Sequence, residues 1–358
     1  MSDTALKDKI IDFLIVGGGL AGTTLAWYLH MHGCSFVLYA FPTKGEASKV
    51  AGGVWNPVAM KRVNPGWKMH ECLNELDFFS KYVENQLSKK IYYHQKIIHP
   101  LFHSEEKIFW ENRLARHPEL REEALLHSRD GKSERGYENY VEIQHGGWMD
   151  VKKYLEASHD FFASTHSLKK NYFKYESLKI KEGFFEYEGT IFRHIVFCEG
   201  WRVYENPFFS FVKLNPAKGE ELILKTGDEK FNLNGNIINK KIILREDNHK
   251  LFVAGSTFSW DNLDDIPTQE AWNEIFSKLS EITDVVFEVV EQRAGVRPAT
   301  HDRRPVAGRH PEIKNMYMLN GFGSKGVLLS PYMCREFINF IRHDKPLPEE
   351  VRLARFYA

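Results

Sequence analysis

Cysteine is scarce in this chain. Four occur among 358 residues: Cys34, Cys72, Cys198 and Cys334. None forms a C-x-x-C pair, so the spacings indicate neither a zinc site nor a disulfide framework, and no metal is expected. Cys198 lies in an apolar stretch and reads as a small buried hydrophobe. An excess of one charge is also missing. Lys plus Arg and Asp plus Glu both number 48, for a formal net charge of zero. That removes the general electrostatic grip that nucleic acid or an anionic membrane would need. No apolar run reaches the ~20 residues of a membrane span. The first apolar run leads directly into a glycine turn, not into a leader cleavage site. Repeats and low-complexity tracts are absent. These absences leave a globular protein of one large or two modest domains, expected in a reducing cytoplasm.

What is present is concentrated near the N-terminus. An apolar strand, residues 12–16, runs into Gly17-Gly18-Gly19-Leu20-Ala21-Gly22, a G-x-G-x-x-G pattern. Gly17 permits the tight turn, Gly19 lets the backbone approach a pyrophosphate, and Gly22 lets the following helix pack closely on the strand. That helix, expected over residues 20–32, aims its N-terminal N–H groups and positive dipole end at the phosphates. Gly33 ends it as a C′ glycine. A second strand, residues 36–39, completes a β-α-β unit. The pattern predicts a dinucleotide-binding domain. One element is lacking: the acid that usually holds a ribose at the end of the second strand. Here that strand ends Tyr39-Ala40-Phe41.

Further along, residues 45–53 are rich in small side chains, including Ala47, Ser48, Gly52 and Gly53, and would let backbone approach a flat ligand. An amphipathic helix is expected over residues 68–87 and a loop at 131–136. Asp150 is placed to cap a helix through about residue 162. The strand 195–198 ends at Glu199-Gly200, as for a return to the nucleotide-binding sheet. Short alternating strands follow from 213 to 289, covered by a helix at 269–282 that Thr268 caps. A last strand, 317–319, enters a second glycine turn, Asn320 to Gly326, and then a helix expected to begin at Pro331. The predicted fold is mixed α/β and α+β. One Rossmann-like, discontinuous domain comprises residues 1–88, 145–212 and 290–358. An inserted antiparallel-sheet substrate domain comprises 89–144 and 213–289.

In order and spacing these pieces resemble the D-amino acid oxidase and glycine oxidase family of FAD-dependent oxidoreductases. The resemblance rests on the Gly17/Gly19/Gly22 turn, the segment from Ala47-Ser48 to Gly53, Gly147-Trp148-Met149-Asp150, and the strand ending in Gly200. It also rests on Gly295-Val296-Arg297-Pro298, Pro305-Val306-Ala307-Gly308, and Gly321-x-Gly323-x-x-Gly326. It implies a Rossmann-like FAD-binding domain holding FAD non-covalently, since no cysteine stands where a tether would. The cofactor would contact Gly17, Gly19, Leu20, Ala21 and Gly22, then Ala47, Ser48, Gly52, Gly53 and Gly200, and finally Gly321, Gly323, Ser324, Lys325 and Gly326. The resemblance further implies oxidation of the C–N bond of a small amine or amino acid, by hydride transfer to flavin. Arg297 looks like the family's arginine for the substrate carboxylate, a role its planar fork suits.

Lys325 is either a charge that stabilises reduced flavin or a solvated surface lysine. His301 is a candidate polar group near the ring, or a turn residue beside Asp302 and Arg303. Trp260 and Trp148 are candidate pocket walls, with core packing as the alternative, and Lys61 and Arg62 read as surface charges. Two other functions stay open: a flavoenzyme acting on a carboxymethylaminomethyl group of tRNA, and a degenerate flavin-binding protein without activity.

Overall fold

The computed structural model describes residues 10–41, 46–128, 137–247 and 251–357; the loop expected at 131–136 and Gly45 lie outside them. Two eight-stranded sheets organise the chain. The first has a parallel centre. Ile11–Val16 pairs with Phe36–Tyr39 on one side and Thr190–Phe197 on the other, and Met316–Asn320 pairs next to the latter. Phe13 to Val16 are all buried, as expected for strands covered on both faces. Helices Leu20–Met31, Met69–Leu87, Val151–Ser164 and Gly326–His343 cover one face. There Trp27, Tyr28, Phe79, Tyr154, Phe162, Met333 and Phe337 form a continuous core.

Local signals account for most helix ends. Gly33 adopts φ +63° just past the first helix. The Asp150 carboxylate accepts from the Lys153 N–H at 3.0 Å, and Thr268 Oγ1 accepts from the Ala271 N–H at 3.2 Å. The C-terminal helix departs from expectation. It begins at Gly326, not at Pro331, and carries Pro331 inside. Proline there removes one helical hydrogen bond. The turn before it survives because residues 326–334 are all buried, so tertiary packing outweighs the lost bond. As a result the helix N-terminus lies directly on the second glycine turn.

The second sheet runs, from one edge, Glu288–Arg297, Ala217–Lys225, Phe252–Gly255, Ile243–Glu246, Ile237–Asn239, Ile97–Leu101, Asn139–Ile143 and Ala124–Ser128. Glu288–Arg297 pairs with Ala217–Lys225 along its length, so the expected division at residue 290 falls inside a strand of this sheet. Helix Gln269–Ser280 packs Ile275 and Leu279 against Leu222, Leu224 and Phe252 on the outer face. The inner face meets residues 46–53: a Cβ at Gly295 would fall 2.4 Å from Val50 Cγ2, and Glu46 bridges Val296. Since strand side chains alternate, this inner face carries Gly219, Glu221, Arg293, Gly295 and Arg297. Register adds Gly255 and Arg245 to it.

Candidate active site

The first glycine turn is held by contacts that admit no side chain. Gly17 has φ +111°, and a Cβ there would lie 2.3 Å from the Cys198 carbonyl oxygen. At Gly22 a Cβ would lie 1.9 Å from the Gly17 oxygen, so helix and turn are in direct contact. Gly19 is different. Its Cβ would meet only Ser48, 3.2 Å from Oγ, and is otherwise clear. The helix that follows has no side-chain cap and no acid in its first turn. Ser48 Oγ accepts from the Leu20 N–H at 3.1 Å. The N–H groups of Ala21 and Gly22 have no partner among the described residues. A helix N-terminus with free donors, a hydroxyl beside it and no competing carboxylate suits a pyrophosphate. Ala40, where an acid was expected, packs on Gly18: a Cβ at Gly18 would fall 2.2 Å from that of Ala40. His159 supports the turn from behind, its Nε2 lying 3.0 Å from the Gly18 carbonyl oxygen.

The second glycine turn meets the first. A Cβ at Gly326 would lie 2.7 Å from Leu20 Cδ2, so the two helix N-termini adjoin. Gly321 and Gly323 have φ +76° and +55°. The Gly323 N–H donates to the Pro298 oxygen at 3.0 Å, which ties this turn to the residue after Arg297. Asn320 donates to the Gly200 oxygen at 2.9 Å and accepts from the Gly321 N–H at 2.8 Å. Ser324 is exposed. Lys325 is half-buried and directed toward Gly66. It has no hydrogen bond or ion pair among the described residues, and burial, with the Arg304 charge, lowers its pKa. Gly53, at φ +71°, would place a Cβ 1.9 Å from the Met149 oxygen, and Gly52 would place one 2.9 Å from Glu221 Oε2. The two glycine turns and the 46–53 segment therefore converge under the inner face of the second sheet.

That face carries the charges. Arg297 lies flat along its neighbouring strand, where a Cβ at Gly219 would fall 1.9 Å from its Nη2. It donates to Ser256 Oγ at 2.6 Å, the Thr257 oxygen at 3.1 Å and the Lys218 oxygen at 3.3 Å. Phe258 caps the guanidinium at 4.2 Å. Of its five N–H donors, three are used. Burial pushes its pKa down to about 10, opposed by Glu221. Arg245 donates through Nε to the Gly52 oxygen at 2.9 Å and stacks on Trp148 at 4.0 Å. Its Nη1 is buried with no partner, and burial lowers its pKa to about 10. Glu221 is 6% exposed and makes no hydrogen bond or ion pair among the described residues. Burial pushes its pKa up to about 7, opposed by Arg245, Arg293 and Arg297. Glu199, half-buried near the first turn, is also pushed up to about 7 by desolvation. It is satisfied, accepting from Tyr175 Oη and from Asn206 Nδ2 at 2.6 Å.

Trp148, 3% exposed, is packed in a hydrophobic core against Tyr93, with Arg245 over its ring. Trp260 does not close the site: it is 60% exposed in the loop after Phe252–Gly255, and Phe258 is the aromatic residue on Arg297. His301 is exposed in a turn, and Lys61 and Arg62 are exposed. Glu221 and Arg245 were not anticipated from sequence. The available signal was adjacent acids, Glu220-Glu221, and an arginine inside otherwise apolar strands, where charge is rarely buried without a reason. A cavity of about 1550 Å³ opens elsewhere, lined by Tyr140, Phe231 and Phe287; no residue of either glycine turn borders it.

A glycine turn of dinucleotide-binding type thus lies against an antiparallel sheet whose inner face carries Arg297, Glu221 and Arg245. Residues 12–339 match the family model DAO, FAD dependent oxidoreductase, and the chain belongs to that family. The structure is similar to glycine oxidase from Bacillus cereus, over 94% of this chain and 96% of that one, with TM-score 0.77 and 18% identity. It is equally similar to iminodiacetate oxidase from Chelativorans sp. BNC1, over 96% and 98%, with TM-score 0.78 and 19% identity. At such identities the likeness is one of fold. In sequence, 115 residues are 32% identical to the tRNA 5-methylaminomethyl-2-thiouridine biosynthesis bifunctional protein MnmC of Marinobacter nauticus, covering 29% of this chain and 18% of that protein. The matches to curated relatives span only 18% to 38% of the relatives' own length.

Proposed function

We propose that this protein oxidises the C–N bond of a small amine or amino acid bearing a carboxylate, as an FAD-dependent oxidase or dehydrogenase. The observation that carries this reading is Arg297, a half-buried guanidinium with donors to spare on the same sheet face that meets Gly52 through Glu221. The free N–H groups of Ala21 and Gly22, with Ser48, would hold the pyrophosphate of FAD. Gly52, Gly53 and the turn from Gly321 to Lys325 would hold its ring system. FAD, when bound, supplies the acceptor for a hydride. Arg297 would hold the substrate carboxylate and so orient the adjacent C–N bond. The α-carbon gives up a hydride, the nitrogen lone pair closes the C=N bond, and water hydrolyses the imine to a carbonyl compound and an amine. Lys325 and the N-terminus of the C-terminal helix would supply positive charge beside the ring system they hold.

Three of the four cysteines are buried and all four are free, which suits a reducing compartment and non-covalent FAD. No described helix is long and apolar enough to cross a membrane. A small-molecule substrate fits the zero net charge better than tRNA does; tRNA binding that weakens steeply with salt would reverse that preference. The test is anaerobic mixing of the flavin-loaded protein with amino and imino acids. Bleaching of the flavin band supports the reading. A protein that takes up no FAD, or whose flavin no amine bleaches, overturns it.

A further inference from the structure

The inner face of the second sheet holds its charges in a fixed order. Side chains on one face of a strand repeat every second residue, about 6.6 Å apart. In the row of Gly219 lies the Arg297 guanidinium, since Gly219 makes the space it occupies. In the next row stands Glu221, opposite Gly255. In the row after that, through Ile223 and Val253, stands Arg245. The order along the strand is positive, negative, positive. Arg293, directly opposite Glu221, is turned away to Glu291 in an ion pair at 2.6 Å. Asp150 and Asp247, the other acids acting on Arg245, are already engaged: Asp150 caps a helix, and Asp247 accepts from the Leu251 N–H at 3.1 Å.

These charges do not satisfy one another. Glu221 forms no ion pair with either arginine within 4.0 Å, and Arg245 Nη1 is buried without a partner. Buried opposite charges are costly unless hydrogen-bonded and close; Glu221 and Arg245 are both 6% exposed yet stay apart, with the half-buried Arg297 beyond Glu221, and such a line suits a third party. The complement of positive, negative, positive is carboxylate, amine, carboxylate.

We propose that the substrate is an amine flanked by two carboxylates, an amino- or imino-dicarboxylic acid, with Arg297 and Arg245 taking the two acids and Glu221 facing the nitrogen. This rests on the oxidase reading above and narrows it. Trp148 and the Gly52 oxygen hold the Arg245 guanidinium in place by stacking and by the Nε bond, leaving its outer nitrogens for the second acid. Glu221 accepts from the substrate ammonium and draws off the proton that the nitrogen must lose before its lone pair is free. Burial keeps that carboxyl near neutrality in its affinity for protons. Neither an aliphatic side chain nor a second cation matches this pattern.

The test compares acids with the same amine. Anaerobic flavin bleaching and kcat/KM are measured for glycine and sarcosine, for both enantiomers of aspartate and glutamate, and for iminodiacetate. At least one diacid is expected to exceed the monocarboxylic amines tenfold or more in kcat/KM. Aspartate or glutamate in front would identify a primary amine, iminodiacetate a secondary one. Arg245→Met should collapse the ratio of diacid to monoacid at least tenfold, chiefly through KM. Arg245→Lys, which keeps the charge, should retain part of the preference and guards against loss of fold in the methionine variant. Binding is read separately from turnover by calorimetric titration of the flavin-loaded protein with malonate and succinate against acetate and propionate. The diacids should bind at least tenfold tighter, and Arg245→Met should erase the difference. Bleaching by monocarboxylic amines with no preference for diacids, or equal binding of acetate and malonate, overturns this inference and leaves the oxidase reading standing. Bleaching by no amine at all overturns the oxidase reading instead, and the titration still reports on the charge pattern.

Discussion

The two faces of one strand, Ala217–Lys225, treat charge in opposite ways. On the outer face Lys218 and Glu220 are 3% exposed and saturated. Lys218 donates to Asp264 at 2.6 Å and to the Ile266 oxygen at 2.5 Å. Glu220 accepts from the Thr268 N–H and Oγ1, both at 2.8 Å, and from Gln292 at 2.9 Å. One residue along, on the inner face, Glu221 is as deeply buried and has no partner, and Arg245 on the same face has an orphaned nitrogen. Burial is the same and satisfaction is not. The outer network fastens helix Gln269–Ser280 and the loop before it to the sheet. The inner charges Glu221, Arg245 and Arg297 form no ion pair among the described residues, and under the proposed function a ligand completes them. Unsatisfied buried charge separates site from scaffold here.

Substitutions can break that comparison or sharpen it. The largest effect should come from the inner face. Arg297→Ala removes the carboxylate clamp, and kcat/KM for a carboxylate-bearing amine should fall about a thousandfold, near 4 kcal/mol at 1.36 kcal/mol per tenfold, with little change in thermal midpoint. Wild-type kinetics in that variant would remove Arg297 from the site. On the outer face Glu220→Ala should do the reverse. It leaves Lys218 buried with only Asp264 as a counter-charge, and chemical denaturation should show a loss of about 3 kcal/mol.

Glu221→Gln gives a pH signature. Burial pushes the Glu221 pKa in the folded protein up to about 7, above the ordinary carboxyl value of 4.5. Its neutral form therefore favours the folded state fully below pH 4.5, and that advantage is lost as pH rises through 7. The protein without ligand should lose roughly 3 kcal/mol across this window relative to Glu221→Gln, at 1.36 kcal/mol per unit. Denaturation midpoints of the two proteins should converge at low pH and separate at neutral pH. Parallel curves would show that Glu221 is paired after all. The smallest effect belongs to the phosphate end. Ser48→Ala deletes one hydroxyl beside the Leu20 N–H, and FAD affinity should weaken about tenfold by equilibrium titration, the value of one hydrogen bond to a charged group.

The phosphate end was legible in the sequence because its residues are forced. A turn at φ +111° against the Cys198 carbonyl admits only glycine, and a Cβ at position 22 would fall 1.9 Å from the Gly17 oxygen, which admits only Gly22. Such constraints leave a mark on local sequence. The caps at Asp150 and Thr268 were legible for the same reason: the capping group and its N–H are three residues apart. Pro331 misled, because burial of residues 326–334 holds a helix that proline alone would start later. The substrate end was mostly illegible. Arg297, through its Gly-x-Arg-Pro setting, and Trp148 were singled out as candidates, but Glu221 and Arg245 come from strands far apart in sequence. Their meeting depends on register between Ala217–Lys225, Phe252–Gly255 and Ile243–Glu246, and on the approach of Gly52. No periodicity within one segment reports such a meeting. Ala40 shows the same limit from the other side: the missing acid was evident, its packing on Gly18 was not.

The most direct measurement is the anaerobic half-reaction of the flavin-loaded protein with an amino acid and with the amide of that same acid. The amine and the α-carbon are unchanged; only the anionic group that Arg297 would grip is removed. The account predicts rapid loss of the flavin band with the acid and at least a hundredfold slower loss with the amide, a gap that Arg297→Ala abolishes. Equal bleaching by acid and amide, or an unchanged gap in Arg297→Ala, would contradict it.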